Sequence, residues 1–255
     1  MTVLPPRPRP WVLRHRSVVA RVLAAPVVVA VVGAGTALWV SSVELDSIER
    51  RTLNTGYILA RVQEHLVLSL AAAVLVAVLA VPTGILVHRV DSRLLKACVL
   101  TLANVGQATP AVGVVILLAI VWRTGFTTAL IALVAYAFLP VLRNTLTGLA
   151  EVDDATREAA RGMGMTRSQV LRRVELPLAS PVIVAGFRTS LVFAVGVATI
   201  ATFINAGGLG DMIVNGLKLQ RFPVLLVGAA LVAAIALLVD WLAGLVEEYA
   251  RPRGL

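Results

Sequence analysis

Six stretches of the chain run long and apolar with almost no charge: residues 20–40, 66–88, 97–122, 127–149, 182–205 and 222–246. Each reaches the roughly 18 residues needed to cross a bilayer as a helix. Lipid offers no partner for open backbone N–H and C=O groups, so all six are predicted to be helical. The pattern therefore predicts an all-α membrane protein. Before the first span lies a Pro/Arg-rich leader, residues 1–19, with the composition of a disordered segment. A cleaved signal peptide carries a shorter apolar core and a small-residue cleavage site. Val22–Val40 is uncharged and long enough to span, so an uncleaved first helix is expected. Residues 41–65 are mixed and mildly amphipathic, as an interfacial connector outside the membrane would be.

Composition agrees with this division. The chain has 255 residues, 58% of them hydrophobic and 15% charged, and its mean hydropathy is +0.89. Soluble domains carry about a quarter charged residues. A net charge of +9 could suit nucleic acid, but it also suits basic loops on the cytoplasmic side of a membrane. The distribution favours the second reading. With a cytoplasmic N-terminus, sixteen Lys/Arg fall on the inside against six outside, and an even number of spans leaves both termini cytoplasmic. Arg188, just within the fifth span, is expected to snorkel toward the cytoplasm. Cys98 stands alone, so it can make neither an internal disulfide nor a metal site.

The longest polar segment, residues 150–181, falls on the inside between the fourth and fifth spans. Asp153 or Asp154 can cap a short helix that stops at Gly162–Gly164. Thr166 can cap a second, which Pro177 is expected to end before Pro181 opens the next span. Two helices this short bury no core, so the pair must dock on something.

The spacing within this loop is specific. Glu158-Ala159-Ala160, then Gly164, Val174 and Leu176-Pro177 resemble the EAA signature of ABC-importer permeases. The stretches "QATPAVGVVILLAI", "YAFLPVLRNTLTGL" and "INAGGLGDMIVNGL" are similar to the osmoprotectant group of those permeases, which import glycine betaine, choline or carnitine. The resemblance covers about residues 64–246. It implies a MetI-like type I permease core of five helices (66–246), with the first helix as an addition and 247–255 as a cytoplasmic tail. It also implies a bacterial plasma-membrane location, a second permease copy or homologue, two separate ABC ATPase subunits docked on the loop, and an extracytoplasmic solute-binding protein. No cofactor or metal is implied, and no enzyme activity. The physical reading of the loop agrees. Ala159 and Ala160 allow close approach of a partner, Glu158 and nearby arginines offer charged contacts, and Gly164 permits the turn.

Alternating access requires a polar track near the midplane. Thr101, Asn104 and Gln107 share one face of the third span, with a helix break at Pro110. Tyr136, Pro140, Arg143 and Thr147 share a face of the fourth, and Thr199, Thr202 and Asn205 a face of the fifth. Each could instead serve helix–helix hydrogen bonding. Arg143 is expected at the cytoplasmic end, beside the loop. Asp240 is expected at the inner interface or paired with an arginine. Ala194, Gly196 and Ala198 form a small-residue face suited to a dimer seam. The run Gly207, Gly208, Leu209, Gly210, Asp211 reads as a flexible outer turn, either a plain loop or, by the resemblance, an outer gate. No G-x-x-x-x-G-K-[ST] loop occurs, so ATP hydrolysis would belong to a partner. A methionine- or amino-acid-type importer permease is the nearest alternative. A secondary transporter would need buried carboxylates and internal repeats, and a mere scaffold would not need polar stripes.

Overall fold

Proline placement decides where this chain's helices bend and where they continue. The computed structural model describes the backbone of residues 11–90 and 92–250 and the side chains of residues 23–90 and 92–248. Helix α1 runs Trp11–Ser42, α2 Ser47–Thr52, α3 Thr55–Arg89, α4 Arg93–Ala108, α5 Ala111–Val121 and α6 Phe126–Ala150. Beyond them lie α7 Asp154–Gly162, α8 Arg167–Val170, α9 Leu176–Ala198, α10 Gly210–Lys218 and α11 Phe222–Ala250. Among the described residues five spans are long and apolar enough to cross a membrane, and the bent pair α4 and α5 makes a sixth where it is counted as one span.

Four expectations change here. Helix begins at Trp11, within the stretch read as a disordered leader, while residues 1–10 and the tail 251–255 lie outside the described residues. The second span starts at Thr55, not 66. Asn54 caps it by accepting from the Tyr57 N–H, so half of the supposed connector is helix. The remainder holds α2, capped by Asp46 and Glu49 in a reciprocal capping box. The Glu49 backbone N–H, followed by the Arg221 guanidinium and the Ile48 N–H, holds the Asp46 carboxyl below the usual carboxylate range.

The third span is not one rod. Helices α4 and α5 meet at 95°. Pro110 has no N–H to give, and it forces Thr109 into extended backbone (φ −72°, ψ 136°).

Conversely, Pro177 does not end a helix. Residues 167–204 run on as one rod through a π turn at Leu171–Glu175. The wider turn accommodates the proline. Pro181 then frees the Pro177 carbonyl, which accepts instead from Ser180 Oγ at 2.8 Å. The loop's second helix is thus mechanically continuous with the fifth span.

The centre is a three-helix unit of α3, α6 and α9. Leu68, Ala72, Ala129, Leu133, Ala194 and Ala198 form one buried cluster, and Val76, Ala80, Ala137 and Leu142 a second. Small residues set the spacing, as in membrane packing generally. Gly84 lies against Thr145, Gly148 against the Ala179 carbonyl, and Gly186 against Asn144. Ser190 Oγ donates to the Ala137 carbonyl across the α6–α9 contact at 2.9 Å. Helix α11 packs outside α9, and α1 lies against α11 with Trp39 edge-on to Phe222. Ala194 and Ala198 face the core, but Gly196 points away into open space. The three therefore do not form one face, since alternate helical residues lie about 200° apart.

A methyl group added at Gly186 would sit 2.5 Å from Asn144 Cβ, and one at Gly196 would touch nothing. Gly186→Ala should therefore lower the melting temperature of the detergent-solubilised protein, and Gly196→Ala should leave it unchanged or raise it. Equal melting temperatures for the two variants would contradict this packing.

Candidate coupling loop and transport path

The loop is built by three caps. Asp153 Oδ1 accepts from the Ala155 N–H at the start of α7. At its end Gly164 adopts φ +83°. The Met165 N–H reaches the Ala160 carbonyl at 3.2 Å and the Gly164 N–H reaches that of Arg161 at 2.9 Å. Those two bonds are a Schellman motif, which needs a left-handed residue where Gly164 stands. Thr166 and Gln169 then form a capping box at the start of α8.

The signature residues divide in two. Glu158, Ala159 and Gly164 are exposed, as is Pro177. Ala160 turns inward at 2% exposure, so only Ala159 of the two alanines is free for a partner. Leu176 packs beside buried Leu149, Leu171 and Ala179, and Val174 is half-buried. The pattern thus has an outward edge on α7 and an inward anchor on α9.

Arg157 ties the two together, and sequence reading gave it no role. It pairs with Asp154 at 2.6 Å and Glu175 at 3.1 Å, and donates to the Leu149 carbonyl at 2.5 Å. Glu175 lies in the π turn, too far along the chain for local spacing to reveal the pair. Arg89, at the end of α3, donates to the Arg167 carbonyl at 3.3 Å. Between these helices opens a cleft of about 450 Å³ lined by His88, Arg89, Arg157, Glu158, Arg161 and Arg167 among others.

The path candidates are brought together only in part. Asn104 and Gln107 on α4 are half-buried, and Tyr136 is half-buried on α6. Arg143 does not turn toward the loop. It donates through Nη2 to Asn104 Oδ1 at 2.5 Å, linking α4 to α6. Pro110 marks the α4–α5 break. Thr199 Oγ1 is engaged by the Gly196 carbonyl at 2.7 Å, and Thr202 by Asp211. Asn205 is exposed and left-handed (φ 58°).

The glycine run is a packed junction, not a flexible turn. Gly207 and Gly208 take φ +78° and +91°. The Gly208 N–H donates to Glu64 Oε2 at 2.8 Å, and a methyl group on Gly207 would collide with that same carboxylate oxygen. Arg61 binds Glu64 at 2.7 Å and Asp211 at 2.8 Å, over the Tyr57 ring. His65, fully buried, places Nε2 3.0 Å from the Val195 carbonyl. Gly210 opens α10 against the backbone of Thr199.

Arg188 does not snorkel freely. It grips Asp240 through two bonds of 2.6 and 2.7 Å and Glu247 at 3.1 Å. Asp240 is thereby matched within α11, as Glu64 is by Arg61 in α3 and Glu175 by Arg157 beside the loop.

Known permeases resemble this chain over most of its length. The carnitine transport permease protein OpuCD of Listeria monocytogenes is 40% identical over 200 residues, 78% of this chain and 89% of that one. The glycine betaine/carnitine/choline transport system permease protein OpuCD of Bacillus subtilis is also 40% identical over 200 residues, 78% of this chain and 86% of its own. A chain of the methionine ABC transporter MetNI, in an inward-facing conformation, superposes with TM-score 0.70 at 21% identity, covering 82% of this chain and all of that one. It shares the fold: a permease core of membrane helices. The profile of the family described as "binding-protein-dependent transport system inner membrane component" matches residues 80–251, and the chain belongs to that family of ABC-importer permeases.

Proposed function

We propose that this permease moves a small osmoprotectant, of the glycine betaine, carnitine and choline class, delivered by an extracytoplasmic binding protein. The observation that carries the mechanism is the continuity of the loop with the fifth span. Glu158 and Ala159 present an edge for a separate ATPase subunit. Gly164 turns that edge back into α8, Arg157 ties it to Glu175 in the π turn, and α8 passes unbroken through Glu175 and Leu176 into α9. A displacement at the loop therefore reaches Thr199, Thr202 and the Gly207–Asp211 junction, the outer gate in this reading. The solute path runs beside Asn104, Gln107, Pro110 and Tyr136, with Asn205 at its outer end and a second permease copy across from it. The loop end and both termini are cytoplasmic, as the Lys/Arg distribution supports.

The substrate class rests on the relatives, which are named for these three solutes. The test is uptake of labelled glycine betaine, carnitine and choline by a host without its own osmoprotectant importers, expressing this permease with its ATPase and binding protein. ATP-dependent uptake of at least one is expected. Uptake of methionine or another amino acid in their place would overturn the substrate reading and leave the coupling reading standing.

A further inference from the structure

The open face of α6 carries a charge that the loop does not use. Tyr136, Pro140 and Arg143 recur along that face at helical spacing and are exposed or half-buried, while Ala137, Val141 and Leu142 behind them are buried. Arg143 makes one hydrogen bond, to Asn104, and no ion pair among the described residues. Asn104 stands eleven residues along α4 from Arg93, about 16 Å from that helix end. Helical side chains lean toward the N-terminus of their own helix. Arg143 thus extends away from the loop end and toward the turns that carry Tyr136. Its charge lies within the apolar span, where a cation facing lipid is costly and one facing a water-filled cavity is not.

Asn104 supplies a neutral acceptor only. The guanidinium keeps its full charge and most of its five N–H donors. We propose that Arg143 and Tyr136 form a two-ended recognition station for a zwitterionic quaternary ammonium solute in transit. Arg143 takes the carboxylate through charge-assisted hydrogen bonds, and the Tyr136 ring faces the trimethylammonium group. Asn104 is a positioning residue that aims the guanidinium. The inference rests on the osmoprotectant reading above and adds which end of the solute each residue meets. Choline has the ammonium but no carboxylate, so the two contacts are separable.

The test uses the whole transporter, reconstituted with its ATPase and binding protein in proteoliposomes. ATP-driven uptake of glycine betaine, carnitine and choline is measured for wild type, Arg143→Gln, Arg143→Lys, Asn104→Asp and Tyr136→Leu. Arg143→Gln should lower glycine betaine and carnitine uptake about tenfold, the loss of one charge-assisted contact, and change choline uptake less than about twofold. Arg143→Lys should fall between. Asn104→Asp should match Arg143→Gln, because the new carboxylate neutralises the guanidinium. Tyr136→Leu should reduce all three solutes alike. Equal losses of all three solutes in Arg143→Gln, or loss of ATPase co-purification, would make Arg143 structural and overturn the proposal. Unchanged betaine uptake, or a wild type that moves choline alone, would also overturn it while sparing the osmoprotectant reading. No uptake of any of the three would sink that reading instead.

Discussion

A transporter carrying Gly164→Val should insert into the membrane normally and lose most of its ATP-driven uptake. Gly164 sits at φ +83°, where its N–H and that of Met165 close the end of α7. A β-branched residue there is strained by roughly 1–3 kcal/mol. Space is not the issue, since nothing lies within 4 Å of a methyl group at this glycine. The cheapest relief is to unwind the C-terminal half of α7, which carries Glu158, Ala159 and Ala160. A folded membrane domain has no need of that segment, because the buried clusters lie between α3, α6 and α9. The effect should thus fall on coupling and spare folding. Gly162 also has open space around it, but its φ is not positive, so Gly162→Ala should leave uptake intact. The measurement is uptake in proteoliposomes together with co-purification of the ATPase subunit. Full uptake by Gly164→Val would show that the ATPase does not grip this turn.

How much of this could be read from the chain follows from the range of each interaction. Helix identity, the α7 stop at Gly162–Gly164 and the Thr166 cap depend on neighbours a few residues apart, so periodicity and capping chemistry reveal them. Pro110 illustrates a signal that was visible but understated: a break was expected, yet its 95° bend was not. Pro177 and Pro181 show the reverse error. By local rule Pro177 ends one helix and Pro181 starts another, but a π turn and the Ser180 hydroxyl absorb them. Whether a proline stops a helix depends on what else can meet the freed carbonyl, and spacing alone does not say. The ties that shape the site were out of reach for a different reason. Arg157–Glu175, Arg61–Asp211, Arg143–Asn104 and Arg188–Asp240 join distant residues across helix contacts. For the last, the sequence offered two places for Asp240, the inner interface or a pair with some arginine, and it did not single out Arg188.

Gly210→Ala should destabilise the opposite end of the same rod. Its methyl group would lie 2.8 Å from the Thr199 carbonyl carbon and 3.0 Å from Thr199 Cα, with the carbonyl oxygen nearer still. All three atoms are backbone, so no side chain can rotate away. Either α10 or the 3-10 turn of Thr199–Ile204 must shift. Overpacking of this kind costs about 1–3 kcal/mol. A shift of α10 would also strain the bonds from Arg61 and Thr202 to Asp211, which hold the junction to α3 and to that 3-10 turn. Gly113, on α5, meets nothing within 4 Å, and Ala is the better helix former there, so Gly113→Ala should be neutral or mildly stabilising. The expected readout is a lower melting temperature for Gly210→Ala in detergent, with uptake reduced while the ATPase still co-purifies. Loss of uptake with the ATPase bound separates this variant from Gly164→Val, whose defect lies where the ATPase docks. If Gly210→Ala matched wild type in both stability and uptake, the junction would be compliant, and its backbone contact with Thr199 would have no part in transmitting motion from the loop.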